Sequence, residues 1–228
     1  MGGQRAWLAL YMCRPRAEGG NIIKRAWWRM YEGSGPDAFG TEIISVDAAF
    51  KDGEQNDYAA ITVWGKRDED YSLLDCRNEH LDFVETLNAL RQTRARFPKA
   101  RSVLVEDKAN GSAILSVLQK EMFCIPVEPK GDKKSRVYSV SAAIESGHVF
   151  LPENAPWVEE YINQWTVFPA GEHDDMVDSS TQALLHLFFC NGAWQPPSKQ
   201  EQLRMEDERY AREALIGAGA YNVYGGGW

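Results

Sequence analysis

The order in which short apolar runs change their period constrains this chain more than any other feature. Ile43-Ile44-Ser45-Val46, Tyr58–Trp64 and Tyr71–Cys76 are strand-type runs, rich in β-branched and aromatic residues and close enough in sequence to form a meander. The connection Lys51-Asp52-Gly53-Glu54-Gln55-Asn56 has turn composition throughout. From Leu81 the spacing turns helical, through Val84, Leu87, Asn88 and Leu90 to Phe97, and Pro98 stops it. Ser102-Val103-Leu104-Val105 returns to strand character, Asn110-Gly111-Ser112 opens a helix carrying Ile114, Leu115, Val117 and Leu118, and Phe123–Val127 is another short strand. Strands alternating with helices imply parallel pairing, because each crossover brings the chain back in the same direction. Lys133–Ser146 reads as a helix closed by Gly147, His148–Pro152 as extended, and Trp157–Trp165 as helix. A last helix starts near Asp174 and runs through Leu184 and Leu187 to Phe188. The class is α/β, a mixed sheet flanked by helices.

A chain of 228 residues, 44% hydrophobic, is large enough for one core with appendages. Residues 1–40 show no sustained period and are expected to be a linker or the end of a preceding domain. Residues 41–192 form the expected globular domain, and 193–228, charged and then glycine-rich, a flexible tail. Cys13, Cys76, Cys124 and Cys190 stand far apart, signalling neither zinc nor a disulfide framework. No apolar run approaches the roughly 20 residues that cross a bilayer, and Met1-Gly2-Gly3-Gln4-Arg5 lacks a signal-peptide pattern, so a soluble cytoplasmic protein is expected. The net charge of -8 argues against a protein that simply coats nucleic acid. Basic residues nevertheless gather in Arg91–Arg101 and in Lys130–Arg136. Trp27, Trp28, Trp64, Trp157 and Trp165 are read as core rather than as base-stacking surfaces.

Chemistry is signalled by carboxylates at element ends. Asp47 ends the first strand, Glu106 ends a later parallel strand, and Asp174, Asp175 and Asp178 occupy the first turns of the last helix. Functional groups of open α/β sheets collect at the carboxyl ends of strands, which brings Asp47 and Glu106 within reach of one another. Each acid alone has a plain role as turn or cap. Together they call for a cation, and hard oxygen ligands of this kind suit Mg²⁺ or Mn²⁺. His80, His148, His173 and His186 lack the spacing of a zinc site, although His173 is near enough to the acids to help position water or phosphate. The chain has no G-x-x-x-x-G-K-[ST] loop and therefore no Walker-type nucleotide site of its own.

Ile44-Ser45-Val46-Asp47-Ala48, Val105-Glu106-Asp107-Lys108-Ala109-Asn110-Gly111 and His173-Asp174-Asp175-Met176-Val177-Asp178-Ser179 follow one another in this order. Between them stand Asp57–Ile61, Lys130–Arg136 and Glu145–Pro152. Across about residues 40–190 the sequence resembles the nuclease domain of tailed-phage terminase large subunits. The resemblance implies a ribonuclease H-like (retroviral-integrase-like) fold and a metal-dependent endodeoxyribonuclease that cuts concatemeric double-stranded DNA during genome packaging, with low sequence specificity. It implies Asp47 as the ligand bridging two metal ions, Glu106 as the second ligand and Asp175 as the third, with Asp174 and Asp178 in competition for that place. Lys108, Lys130, Lys133 and Arg136 are the candidate phosphate contacts. The implied partners are DNA, an ATPase domain in the same natural chain, a portal and a small terminase subunit, in the host-cell cytoplasm, with no membrane and a monomeric isolated domain. A junction resolvase or transposase-like nuclease of the same fold, and a non-catalytic packaging module docking on the portal, are the competing readings.

Overall fold

The computed structural model describes residues 22–33, 39–48, 58–107 and 110–189. Lys108, the turn at 51–56 and the tail at 193–228 lie outside these residues. Seven strands make one sheet: β1 (Arg29–Tyr31), β2 (Thr41–Ala48), β3 (Tyr58–Arg67), β4 (Asp70–His80), β5 (Ala100–Glu106), β6 (Cys124–Val127) and β7 (Val149–Pro152). Their order is β1-β7-β4-β3-β2-β5-β6. β2, β3 and β4 form the antiparallel meander, whereas β5 joins β2 and β6 joins β5 in parallel. The five α-helices among the described residues are α1 (Phe83–Arg96), α2 (Asn110–Leu118), α3 (Lys133–Glu145), α4 (Val158–Val167) and α5 (Asp175–Phe189). None of the described helices is long and apolar enough to cross a membrane.

Strand alternation splits the apolar side chains into two cores. Ile44, Val46, Ile61, Val63, Val103 and Val105 meet Leu87 and Leu90 of α1 and Ile114, Leu115 and Leu118 of α2. Ile43, Trp64, Leu73 and Leu104 point the other way, toward α3, α4 and α5. β2 is buried on both faces, which is why its sequence reads as a nearly unbroken apolar run rather than an alternation.

Although residues 1–40 lack a periodic signal, part of that stretch is built into the sheet. β1 pairs in parallel with β7 at its edge, Ile23 is fully buried, and Trp28 packs edge-on against Trp165 at 5.5 Å and Tyr161 at 5.8 Å. Trp28, Trp64 and Trp165 are core residues, as expected, and Trp27 and Trp157 lean against the same core.

Local chemistry sets the helix ends. Asp82 accepts from the Glu85 amide at 2.8 Å while the Glu85 carboxylate accepts from the Asp82 amide at 2.9 Å, a capping box that starts α1. Helix α3 ends on Gly147, whose φ of +82° lets the His148 amide reach the Ala143 carbonyl at 2.9 Å. At Gly111 the constraint is space, because a Cβ there would lie 1.7 Å from the Glu106 carbonyl oxygen. Helix α2 can therefore pack onto the end of β5 only without a side chain at 111. Gly111→Ala is expected to cost at least ~2 kcal/mol, since backbone has to move. A lowered urea midpoint at unchanged slope is the measurement, and a midpoint equal to the parent's contradicts this packing.

Candidate active site

The site begins with a polar residue in an apolar strand. Ser45 is fully buried, and its hydroxyl donates to the Ser179 carbonyl at 2.7 Å while accepting from the Gln182 side-chain amide at 2.9 Å. The Ser179 hydroxyl donates to the Ser45 carbonyl at 3.0 Å. With its single proton engaged there, it must accept from Thr62, 2.8 Å away. Thr62 is the cross-strand partner of Ser45 on β3. Small hydroxyl side chains let α5 approach the strands closely, and reciprocal bonds remove the cost of burying them.

Both ends of α5 are also held. The Gln164 side-chain oxygen on α4 accepts from the Met176 amide at 2.8 Å and the Val177 amide at 3.3 Å, satisfying helix-start donors. Lys66 donates to the Leu187 carbonyl at 2.8 Å near the other end. The start of α5 is thereby set over the end of β2, and Asp175 and Asp178 come with it.

Asp47 lies two residues beyond Ser45 and so shares its face. Val46 pairs with Val105 in the parallel register, and one further step along each strand sets Asp47 beside Glu106. The structure thus brings Glu106, Asp175 and Asp178 within electrostatic reach of Asp47. Asp47 keeps part of its surface open at the strand end, yet protein surrounds it closely. Burial first, then the anions Asp178, Glu106 and Asp175, push its pKa up to about 8, against the opposing field of Lys133. Burial, and then Asp174, likewise raise Asp175, with its own amide, His173 and Lys133 opposing.

Asp174 and Asp178 are neutralised by α3. Lys133 Nζ stands 2.7 Å from Asp174 and 2.7 Å from Asp178 Oδ2, and Arg136 donates to Asp178 Oδ1 at 2.7 Å. Arg136 and Asp178 are both deeply buried, with side chains 10% and 6% exposed. Lys133 and Arg136, expected as phosphate contacts, are thus committed to acids. Lys130 is exposed, and Lys108 falls outside the described residues. Both cations close on Asp174 and Asp178 rather than on Asp175, which bears on Asp47 together with Asp178 and Glu106. Among the described residues no three His, Cys, Asp or Glu side chains close into a formed metal cage.

The histidines lie in three places. His80 and His173 pack against the Tyr58 ring at 3.8 and 4.8 Å, His148 bonds Asp70 at 2.8 Å, and His186 is half-buried on α5, its pKa lowered by burial. The basic stretch 91–101 is partly engaged in ion pairs, Arg91 with Glu121 at 2.6 Å and Arg96 with Asp75 at 2.8 Å.

Known proteins share this fold. The family of the terminase RNaseH-like domain matches residues 44–187. No curated protein matches the chain. The large terminase of a thermophilic bacteriophage is similar in structure, with a TM-score of 0.60 and 14% identity, over 75% of this chain and 46% of that one. This chain therefore spans under half the length of that relative. The large terminase nuclease of a second thermophilic phage, G20c, with bound zinc gives a TM-score of 0.55 at 16% identity, covering 72% of this chain and 97% of that one. With bound magnesium it gives 0.51 at 18%, covering 74% and 97%. At such identities the likeness establishes the fold, the expected ribonuclease H-like mixed sheet.

The site's electrostatics make the stability depend on pH. A carboxyl whose folded pKa exceeds its unfolded value stabilises the fold only at low pH, and that contribution is lost as pH rises from about 4 toward about 8. Asp47→Asn in chelator is therefore expected to match the parent's stability at pH 4 and exceed it by at least ~1 kcal/mol at pH 8; equal melting curves at pH 8 contradict the assignment. Arg136→Ala leaves the Asp178 carboxylate buried without its close partner and is expected to cost ~3 kcal/mol. In a double-mutant cycle with Asp178→Ala the two losses should fall well short of adding.

Proposed function

The chain belongs to the terminase RNaseH-like domain family, and from that premise we propose that it is the metal-dependent endonuclease domain of a viral terminase large subunit. It cleaves concatemeric double-stranded DNA with low sequence specificity during packaging. The observation that carries this reading is the approach of Asp47, Glu106 and Asp175 from two parallel strand ends and one helix start, with Asp47 bearing the electrostatic load of the others. The family match sets a resolvase or transposase aside.

The donor set fits divalent cations, since all three side chains are hard oxygen ligands and burial and neighbouring anions press on Asp47 and Asp175 against the opposing field of Lys133. When bound, Mg²⁺ or Mn²⁺, two ions in this reading, acidifies the attacking water and neutralises the leaving oxygen. Asp47, Glu106 and Asp175 would hold them. Asp174 and Asp178, with Lys133 and Arg136, keep the start of α5 in place. The clamp at Ser45 and Ser179 keeps Asp47 and Asp175 at a fixed separation, which supplies the preorganisation that hydrolysis needs. Lys130 is the exposed candidate for guiding the phosphate backbone, a contact that positions DNA without reading bases. In the same reading the nuclease unit expected at 41–192 also takes in β1 and Trp28 from the stretch 1–40, the rest of which joins it to an ATPase domain, with a tail at 193–228. The unit is monomeric when isolated and works in the host cytoplasm with the portal and small subunit.

Incubation of the chain with supercoiled plasmid in Mn²⁺ or Mg²⁺ is expected to yield nicked and linear DNA, and none in chelator. Asp47→Ala, Glu106→Ala and Asp175→Asn should each slow cutting at least ~100-fold, while Asp174→Asn keeps most activity. Parent-like cutting by Asp47→Ala and Glu106→Ala would overturn the site, and no cutting by the parent in either metal would favour a non-catalytic packaging module.

A further inference from the structure

Lys133 is placed where helix stability does not want it. It is the first residue of α3, immediately after the N-cap Asp132, and a cation there opposes the positive end of the helix dipole. The acids across from it explain the placement. Its ammonium is 2.7 Å from both carboxylate oxygens of Asp174 and 2.7 Å from Asp178 Oδ2. Its field also reaches Asp47 and Asp175.

Arg136 stands in contrast. It takes the other Asp178 oxygen from a buried position, 10% exposed, and acts as a fixed strut. Lys133 is 51% exposed and carries its charge on a flexible four-carbon stem. Both cations tie α3 to α5, but only Lys133 is exposed on a flexible stem.

We propose that Lys133 is a built-in counter-cation of the acid site, competing with the divalent ion and setting the concentration at which the site fills. This rests on the metal-dependent reading above. In the metal-free protein the ammonium offsets part of the repulsion among the carboxylates, so the fold tolerates an empty site. A divalent ion entering between Asp47, Glu106 and Asp175 is repelled by that ammonium and has to displace it or bind against its field.

The test is Mn²⁺ binding to the full chain by calorimetry, with the Mn²⁺-induced rise in Tm as a second readout. Lys133→Met, which keeps the stem and drops the charge, is expected to bind Mn²⁺ about fivefold more tightly or better. Its metal-free Tm should be lower and its rise on Mn²⁺ larger than the parent's. Lys133→Arg, which keeps the charge, should stay within about twofold of the parent. If Lys133→Met binds equally or more weakly while Asp47→Asn abolishes binding, the counter-cation role is wrong and the site stands. If Asp47→Asn binds Mn²⁺ like the parent, the site reading fails and takes the counter-cation with it.

Discussion

The seating of α5 on β2 and β3 is the interaction on which the rest of the molecule depends. Ser45, Thr62, Ser179 and Gln182 are buried polar groups in the middle of an apolar layer, and every hydroxyl among them is satisfied by another member or by a backbone carbonyl. Hydrophobic contact alone would hold the helix against the sheet with little preference for its position along the strand. The reciprocal pair between Ser45 and Ser179 removes that freedom, because sliding the helix by one turn would leave several buried donors and acceptors unpaired. Asp47 lies two residues along β2 from this pair, and Asp175 four residues back along α5. A rotation or shift of the helix would therefore change the separation of the acids directly.

What this seating creates is costly in the absence of a cation. Four carboxylates are brought close to one another at a partly buried strand end, and Asp47 carries the largest share of the cost. The fold offsets it unevenly. Arg136 and Lys133 pair with Asp178 and Asp174, the acids that tie α5 to α3. Asp47 and Asp175, which the proposed chemistry needs, receive the weaker field of Lys133, joined at Asp175 by its own amide and His173. Full neutralisation of all of them would make a more stable protein with no affinity left for a metal.

Much of this was legible in the sequence, for identifiable reasons. The meander, the parallel additions and the ends at Asp47 and Glu106 follow from hydrophobic period and from the way strands and helices alternate. Gly147 announced the end of α3 because a left-handed residue after a helix is nearly always glycine. Less visible were the interactions between segments remote in sequence. Nothing local to Gln164 says that its side chain will cap a helix a dozen residues later, and nothing in Arg29–Tyr31 marks an edge strand, since three exposed or half-exposed residues carry no period. The basic run 130–136 invited a phosphate reading because one-dimensional charge does not show which cations meet acids across a helix pair. A signal for the clamp did exist: Ser179-Ser180-Thr181-Gln182 interrupts an otherwise apolar helix, and Ser45 an apolar strand. Polar residues at buried positions of two elements are expected to find each other.

The choice among Asp174, Asp175 and Asp178 shows how the structure adds what spacing cannot. On a helix, residues 174 and 178 lie nearly above one another, and both turn toward α3, where a single lysine bridges them. Residue 175 is rotated about 100° from 174, which carries it away from that lysine and toward the sheet. The same helical geometry that made the three acids equivalent in sequence thus separates them in function. Asp174 and Asp178 pair with the basic helix and secure the element, while Asp178 and Asp175 both bear on Asp47. The division holds only while α5 keeps its rotation, and that rotation is set by Ser179, one turn further on, bonded to Ser45.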